Sequence, residues 1–391
     1  MTSYDQDYGQ PLTGDIPGTF RPTMPGHGRL VSPAIEAMRA YPPGKPWRAV
    51  AEELGIPPEE VLLLAANENV LGPSPRAIAA AQRALATSHL YPDGASSELK
   101  QALAQKHKID PARLIIGNGS NDIIDLLVRT FVGPDEVVAS AWPSFVVYRL
   151  VAQAAGKDAV LAPLHRERYD LAALATLIDY RTKLVFIANP NNPTGTYVTK
   201  RELASFLERI PPTVIVVLDE AYFEYVSAAD YPSGLADFPD RRRLVVLRTF
   251  SKAHGLAGLR IGYGVTDPEL VEYIDRVRQP YNVSSVAQAA AIAALEDDAH
   301  VAASREMVRA GMQQLTDGFT KLGLGYVPSQ ANFIVVRVPE EGDRVQAELK
   351  KRGILIRGMG AYGMPGAVRI TVGTSAMNSR VLEALREVLS R

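Results

Sequence analysis

The stretch Val214-Ile-Val-Val-Leu218-Asp219-Glu220-Ala221-Tyr222 is an unbroken apolar run that ends in acidic and aromatic residues. Continuous rather than alternating apolarity is typical of a strand buried on both faces of a parallel sheet. Four other runs have the same character: Leu114–Ile116, Val137–Val138, Leu184–Ile187 and Leu244–Leu247. Helical patterns lie between them, as in Ser120–Phe131, whose apolar residues form one stripe. These features predict an α/β fold with a large domain, in which helices flank a mostly parallel sheet.

The pattern changes after about residue 285. We predict strands at Asn332–Val338, Gly353–Arg357 and Ala367–Thr371, and a closing amphipathic helix at Met377–Leu389. In the last strand Val368 and Ile370 alternate with Arg369 and Thr371, which predicts a sheet with one buried face. We therefore expect a smaller α+β C-terminal domain at 286–391 and the large domain at 65–285. Residues 1–64, which begin with a Pro- and Gly-rich segment, would form an arm and part of the small domain.

Composition excludes several functions. The 391 residues carry 42 Lys and Arg against 43 Asp and Glu, so charge offers no general attraction for nucleic acid or anionic lipid. The absence of cysteine excludes disulfides and thiolate chemistry, and the six histidines form no i,i+4 pair, so we predict no metal site. There is no apolar run of about 18 residues and no signal-peptide pattern at the N-terminus, so we expect a cytoplasmic protein that does not bind membranes.

Polar residues follow each predicted parallel strand, where ligands of such sheets bind. Gly117-Asn-Gly119-Ser120-Asn121 opens a helix and could cradle a phosphate, although a plain strand-to-helix turn capped by Ser120 is an alternative. Asn189–Gly195 follows the run Leu184–Ile187 and can hold an amide side chain rigidly. Asp219 needs a partner at the end of its apolar strand.

Lys252 lies in Arg248-Thr-Phe-Ser-Lys252, after the last of these strands. A lysine among hydroxyl, glycine and apolar residues can lose its proton and act as a nucleophile, although an isolated lysine is usually a surface residue. Arg260 offers a guanidinium suited to phosphate. A phosphate cradle, an amide, a carboxylate, the Tyr222 hydroxyl and a lysine are together what pyridoxal phosphate requires.

These motifs resemble a known family. Asn191-Asn-Pro-Thr-Gly195, Asp219-Glu-Ala-Tyr222 and Ser251-Lys252 with Arg260 are similar to those of the pyridoxal-phosphate aminotransferases of fold type I. From about Tyr41 onward the chain resembles the histidinol-phosphate aminotransferases more closely. The motifs that carry this are Tyr41–Lys45, Asn67–Asn69, Leu71–Pro75, Tyr91–Gly94, Arg248–Lys252, Pro280–Asn282, Ala331–Phe333 and Val368–Thr374.

The resemblance implies how each residue would meet pyridoxal 5'-phosphate. Lys252 would form the Schiff base and carry the proton, Asp219 would pair with the ring nitrogen, and Tyr222 would hydrogen-bond the ring hydroxyl together with Asn192. Phe145 would stack on the ring. The phosphate would be held by Gly119, Ser120, Asn121, Thr249, Ser251 and Arg260, and by Tyr91 of a neighbouring subunit, which implies a homodimer with shared active sites.

The resemblance also implies substrates and their contacts. The reaction would be a ping-pong conversion of L-histidinol phosphate and 2-oxoglutarate to imidazole acetol phosphate and L-glutamate, in histidine biosynthesis. Arg369 would bind the carboxylate of glutamate, and Arg357 with Arg369 and Tyr41 would bind the phosphate of histidinol phosphate. Asn332 is a further candidate for substrate binding. From the residues alone, both arginines could be surface residues and Tyr41 a hydrophobic anchor.

Other activities stay open at this point. An aromatic-amino-acid aminotransferase and a decarboxylase of threonine phosphate would use the same cofactor site, and a cofactor-binding regulator would need a DNA-binding module that the sequence does not indicate. Departures from the family pattern bear on the substrate: Ala66, Val70, Asn121-Asp122 and Ser284 replace its usual residues. Gly358-Met-Gly360-Ala-Tyr-Gly363 fits the spacing of a dinucleotide-binding loop, but Pro365 follows instead of a helix, so we predict an ordinary loop.

Overall fold

The computed structural model describes residues 30–38 and 45–390. In this part of the chain the strands are β1 (Leu62–Leu63), β2 (Leu114–Gly117), β3 (Val137–Trp142), β4 (Ala159–Pro163), β5 (Thr182–Ala188), β6 (Ile215–Asp219), β7 (Leu244–Thr249), β8 (Gly262–Val265), β9 (Tyr326–Val327), β10 (Phe333–Arg337), β11 (Ile354–Leu355), β12 (Arg357–Gly358) and β13 (Ala367–Thr371). The helices are α1 (Pro33–Glu36), α2 (Trp47–Leu54), α3 (Pro75–Leu85), α4 (Ser97–His107), α5 (Ser120–Phe131), α6 (Val147–Ala154), α7 (Leu171–Thr176), α8 (Lys200–Arg209), α9 (Gly234–Asp237), α10 (Pro268–Val277), α11 (Ser285–Leu295), α12 (Asp298–Lys321), α13 (Gly342–Lys350) and α14 (Ser375–Leu389).

A seven-stranded sheet forms the centre of the larger part, in the order β2-β8-β7-β6-β5-β3-β4. Strand β8 runs opposite to the other six strands, so its pairs with β2 and β7 are antiparallel and the remaining pairs of this sheet are parallel. All five apolar runs recognised in the sequence lie in it, and every residue of β6 is buried. The predicted mostly parallel sheet flanked by helices is therefore confirmed.

The sequence patterns missed β8, which contains two glycines and so has a low strand propensity. Packing explains both glycines. A Cβ on Gly262 would lie 2.7 Å from the backbone nitrogen of Ser120, and one on Gly264 would lie 3.2 Å from the side chain of Leu247. The strand therefore keeps glycine where α5 and β7 pass closest to it.

The C-terminal part contains an antiparallel sheet in the order β12-β13-β10-β9 and a parallel pair, β1 with β11. One prediction here is wrong: Gly353–Arg357 is not a single strand. Its residues divide between β11, which pairs with Leu62–Leu63, and β12, which pairs with β13. The chain changes its partner strand at this point because β1, in the segment before residue 65, offers β11 a strand to pair with outside the antiparallel sheet.

The expectation of one buried face for β13 is also wrong. All five of its residues are buried, and Arg369 is only 5% exposed. The face opposite Val368 and Ile370 is covered by the segment after β1, since Arg369 Nη2 donates to the carbonyl of Ala65 at 2.9 Å. A sheet covered on both sides can bring an arginine to an internal cavity instead of to the surface.

The predicted domain boundaries at residues 64/65 and 285/286 stay predictions. Leu62 and Leu64 lie in the same hydrophobic cluster as the residues of β10 and β13. Helix α11, by contrast, packs in a cluster with residues of α4, β2 and β8. This packing favours a second boundary after α11 rather than before it.

Candidate active site

A cavity of about 620 Å³ lies where β3, β5, β6 and β7 reach their carboxyl ends. Most of the predicted site residues line it: Ser120, Asn121, Phe145, Asn192, Asp219, Tyr222, Thr249, Ser251, Lys252, Arg260, Arg357 and Arg369. The lining contains four cationic side chains (Lys252, Arg260, Arg357 and Arg369) and two carboxylates (Glu68 and Asp219). The excess of positive charge suits ligands that carry anionic groups.

Lys252 follows β7 on an irregular segment, and its side chain is half-buried. Its Nζ donates to the carbonyl of Ala66 at 3.1 Å and lies 5.7 Å from the centre of the Tyr222 ring. Burial lowers the pKa of Lys252 to about 8, and the positive charges of Arg369 and Arg260 act in the same direction. The amine therefore gives up its proton far more readily than a surface lysine.

Asp219 is the last residue of β6, and its buried carboxylate faces the cavity. Burial raises its pKa to about 6, while a hydrogen bond from Tyr148 Oη to Oδ2 at 2.7 Å opposes that rise. A buried carboxylate of this kind is stabilised by a positively charged partner. Its neighbour Glu220 lies on the other side of the strand and forms a buried ion pair with Arg248, at 2.8 Å.

Tyr222 is buried, and burial raises its pKa to about 12, so its hydroxyl keeps its proton at neutral pH. Asn67 Nδ2 donates to that hydroxyl at 3.1 Å. The hydroxyl proton of Tyr222 is thereby free to serve a ligand in the cavity. Asn192 also lines the cavity, and its Oδ1 accepts a hydrogen bond from Arg369 Nη1.

The segment before α5 forms a concave surface beside Arg260. Gly119 has φ +78° and ψ 165°, and a Cβ there would lie 2.4 Å from Arg260 Nη2. Arg260 Nη1 donates to Ser251 Oγ at 3.4 Å, and the amide of Ser251 donates to Thr249 Oγ1 at 3.1 Å. Hydroxyls, a guanidinium and a helix N-terminus thus converge, as in a phosphate site.

Arg357 and Arg369 occupy directly opposite positions on the antiparallel strands β12 and β13. Opposite residues share one face of a sheet, and like charges at such positions repel each other. Both side chains line the cavity, and the Arg369 guanidinium lies 5.1 Å from the centre of the Phe333 ring. An anion between the two arginines would relieve the repulsion.

Four predicted residues are outside the cavity lining or outside the described chain. Gly119 lies behind Arg260, and Asn332 is buried with its Nδ2 donating to the carbonyl of Asn67 at 3.0 Å. Tyr91 is 82% exposed and stacks on Tyr281 with ring centres 4.7 Å apart. Tyr41 falls outside the described residues.

Sequence reasoning assigned no role to Asn67, Glu68, Tyr148 or Tyr362, which also line the cavity. Asn67 and Glu68 belong to the motif Asn67–Asn69, so the sequence contained a signal for both residues. Tyr148 lies in the first turn of α6, and its amide donates to the carbonyl of Phe145 at 3.2 Å, but no sequence motif marks it. Tyr362 ends a single 3₁₀ turn, Gly360–Tyr362, in the loop between β12 and β13, and its position depends on tertiary packing that no local pattern reveals.

Within residues 30–38 and 45–390, no helix is long and apolar enough to cross a membrane. In the same part of the chain, no group of three or more His, Asp or Glu side chains is placed to hold a metal ion.

Comparison with known proteins extends these observations. The family model for aminotransferase class I and II matches residues 59–385. Histidinol-phosphate aminotransferase of Anaeromyxobacter sp. (strain Fw109-5) is 49% identical over 92% of this chain and 99% of its own length. The enzyme of the same name from Moorella thermoacetica is 46% identical over 91% of this chain and 92% of its own length. The crystal structure of histidinol-phosphate aminotransferase from Sinorhizobium meliloti in complex with pyridoxal-5'-phosphate superposes with a TM-score of 0.85, at 28% identity, over 93% of this chain and 99% of that one.

Proposed function

Because the chain belongs to the class I and II aminotransferases, we propose that it transfers the amino group of L-histidinol phosphate to 2-oxoglutarate. The predicted fold type I architecture and the predicted dependence on pyridoxal phosphate are those of this family. The substrates of this protein are small molecules. Near full-length similarity to histidinol-phosphate aminotransferases supports the specific substrate. The observation in the site that carries the proposal is the opposed pair Arg357 and Arg369 at the cavity, which suits a phosphate or a carboxylate.

The residues present fit pyridoxal phosphate. The backbone of Gly119 lets the Arg260 guanidinium pack against it, since a Cβ there would lie 2.4 Å from Nη2, and Arg260 thereby lies beside the N-terminus of α5, where a phosphate would bind. Burial raises the pKa of Asp219 because it disfavours the charged carboxylate, and a protonated ring nitrogen beside it would stabilise that charge. Phe145 lines the cavity and would stack on the ring, while Tyr222 and Asn192 would hydrogen-bond its hydroxyl.

The chain's own groups then perform the proton chemistry. When bound, pyridoxal phosphate supplies an aldehyde that reacts with amines and a ring that withdraws electrons. Lys252 Nζ, whose pKa is about 8, is partly a free base at neutral pH, and it would take a proton from the substrate carbon and pass it to the cofactor. Asp219 would favour a protonated ring nitrogen, and Tyr222 keeps its own proton for hydrogen bonding because its pKa is about 12.

The two arginines would serve both halves of the reaction. Arg369, held by Asn192 and the carbonyl of Ala65, would bind the carboxylate of glutamate or 2-oxoglutarate. Arg357, which is half-buried, would bind the phosphate of histidinol phosphate together with Arg369. Since the two substrates bind in turn, the Arg369 guanidinium can serve both anions, while Arg357 would contact the phosphate alone.

The absorption spectrum of the purified protein tests this function directly. A visible cofactor band should bleach fastest with histidinol phosphate and return with 2-oxoglutarate. Faster bleaching by phenylalanine would replace the substrate with an aromatic amino acid, and release of an amine from threonine phosphate would indicate a decarboxylase. If no band formed after pyridoxal phosphate was added, the function would be refuted.

We further propose a homodimer in which Tyr91 reaches the phosphate site of the partner. Tyr91 and Leu90 are more than half exposed, and Leu85 at the end of α3 is 56% exposed, so this surface is unusually apolar for solvent. A hybrid of one Lys252→Ala subunit and one Tyr91→Ala subunit contains one site with both residues intact. Activity in the hybrid above that of either parent variant supports the shared site, and a hybrid that is no more active than the parents refutes it.

Cytoplasmic localisation of the protein stays a prediction.

A further inference from the structure

We propose that Tyr362 forms the wall of the cavity that receives the planar ring of the substrate, and that Trp142 holds this wall in position. The inference rests on the proposed function, because it concerns the ring-bearing substrate of that reaction. It assigns a substrate contact to the glycine-spaced segment at residues 358–363, which lies between the strands that carry Arg357 and Arg369.

The loop is pressed against α13, and its glycines make that contact possible. A Cβ on Gly358 would lie 2.0 Å from Asp343 Oδ1, and one on Gly360 would lie 2.7 Å from Asp343 Oδ2. The amide of Gly358 also donates to Gln346 Oε1 at 2.7 Å. A side chain at either glycine would displace the Asp343 carboxylate or the loop, so this close contact with α13 depends on both glycines. The loop then presents Tyr362 to the cavity.

Tyr362 is supported from the seven-stranded sheet. Its ring stacks on Trp142, with centres 6.0 Å apart and planes inclined by 23°. Trp142 is the last residue of β3, and the guanidinium of Arg149 on α6 lies 5.3 Å from the centre of its indole. Arg149 is half-buried, and burial lowers its pKa. Three planar groups thus lead from α6 to the cavity and join the two parts of the chain across its rim.

The other aromatic rings of the described lining have different tasks. Phe145 is proposed to stack on the cofactor, Tyr148 donates to Asp219, and Tyr222 is hydrogen-bonded to Asn67. Among the aromatic residues of the described lining, Tyr362 has none of these contacts and is therefore available to the substrate. Aromatic rings attract one another in stacked or edge-on pairs, whereas glutamate has no ring to pair. The wall would therefore act on one substrate of the cycle and not on the other.

Substitution of Tyr362 can separate this role from a structural one. In Tyr362→Leu we expect kcat/KM for histidinol phosphate to fall about two- to twelvefold through loss of ring pairing. For glutamate it should change by less than about twofold, since no ring is involved. Tyr362→Phe keeps the ring and should behave as the wild type. Tyr180→Leu, at a tyrosine that is 94% exposed, is the matched control for loss of a tyrosine elsewhere.

Trp142→Leu tests the support. It should raise KM for histidinol phosphate with little change in kcat. The rise in KM should be smaller than in Tyr362→Leu, because the Tyr362 ring remains but has lost the indole on which it stacks. Calorimetric titration of histidinol phosphate into Lys252→Ala protein loaded with pyridoxal phosphate gives a readout without turnover. There, adding Tyr362→Leu should weaken binding by a similar factor.

Equal losses for histidinol phosphate and glutamate, or no loss for either, would overturn the inference. So would a Tyr362→Phe variant as impaired as Tyr362→Leu. A wild-type chain that turns over phenylalanine but not histidinol phosphate would refute the proposed substrate alone, and the same variants would then test the wall with phenylalanine. A wild type that accepts only ring-free substrates would refute both.

Discussion

The hydrogen bond from Tyr148 controls how readily the buried carboxylate of Asp219 ionises. Burial raises the pKa of Asp219 from 3.8 to about 6, and this 2.7 Å bond is the strongest of the influences that oppose the rise. A hydrogen bond to a charged group contributes about 1.5–3 kcal/mol. Since 1.36 kcal/mol corresponds to one pH unit, Tyr148→Phe should raise the pKa of Asp219 to about 7–8 in the cofactor-free protein.

Proton linkage gives the direction of the effect on stability. The pKa of Asp219 is higher in the folded than in the unfolded chain, so its contribution to the free energy of unfolding is greatest below about pH 4 and is lost as the pH rises through the folded pKa. In the wild type this loss is essentially complete somewhat above pH 6, whereas in Tyr148→Phe it continues to about pH 8. The destabilisation caused by Tyr148→Phe should therefore be larger at pH 8 than at pH 4.5, by about 1.5–3 kcal/mol.

A double-mutant cycle isolates this effect. Urea unfolding of the cofactor-free protein would be followed at pH 4.5 and pH 8 for the wild type, Tyr148→Phe, Asp219→Asn and the double variant. In the Asp219→Asn background no carboxylate remains, so Tyr148→Phe should cost the same at both pH values. A cost that is independent of pH in the wild-type background would refute the reasoning, and so would a pH dependence that survives in Asp219→Asn.

Three further outcomes are expected. Lys252→Ala should abolish turnover and the covalent attachment of the cofactor while leaving the circular dichroism spectrum unchanged; retained turnover would contradict its assignment. Arg357→Gln should lower kcat/KM for histidinol phosphate about 10- to 150-fold, from the loss of a charged hydrogen bond, with a much smaller effect on glutamate; equal losses would count against a phosphate contact. Gly119→Ala, at φ +78° and with its Cβ 2.4 Å from Arg260, should cost about 1–3 kcal/mol of stability and weaken cofactor affinity in a titration of the cofactor-free protein. Gly156→Ala, at φ +71° with open space around it, should lower stability and leave cofactor affinity unchanged.

The central sheet could be predicted because its strands are locally distinctive. An unbroken apolar run such as Val214–Leu218 has few alternatives to a strand buried on both faces, and α5 begins and ends where its stripe predicted. β8 could not be predicted, since its glycines are explained only by the approach of α5 and β7. The division of Gly353–Arg357 between two sheets depends on pairing with β1, about 290 residues earlier in the chain.

The strand-end residues of the site could be predicted for a similar reason. Asp219 and Lys252 each follow a recognisable strand, and parallel strands bring their carboxyl ends to one edge of the sheet. The other side of the cavity is lined by Arg357, Tyr362 and Arg369 of the C-terminal part, and Arg369 is held there by the carbonyl of Ala65 in the segment after β1. Alternation along β13 indicated where the Arg369 side chain points relative to Val368, but it did not show what lies opposite.

The segment at residues 65–69 joins these two halves of the site, so stability and chemistry are coupled there. The carbonyl of Ala65 holds Arg369 at 2.9 Å, and the carbonyl of Ala66 accepts from Lys252 Nζ at 3.1 Å. Asn67, with φ +58°, donates from its amide to Thr371 Oγ1 and from its side chain to Tyr222. The left-handed backbone at Asn67 is tolerated by asparagine better than by most residues, and it lets successive carbonyls and side chains face different partners. A substitution in this segment would therefore disturb an arginine, the lysine and a tyrosine at once, although none of the substituted residues would itself react.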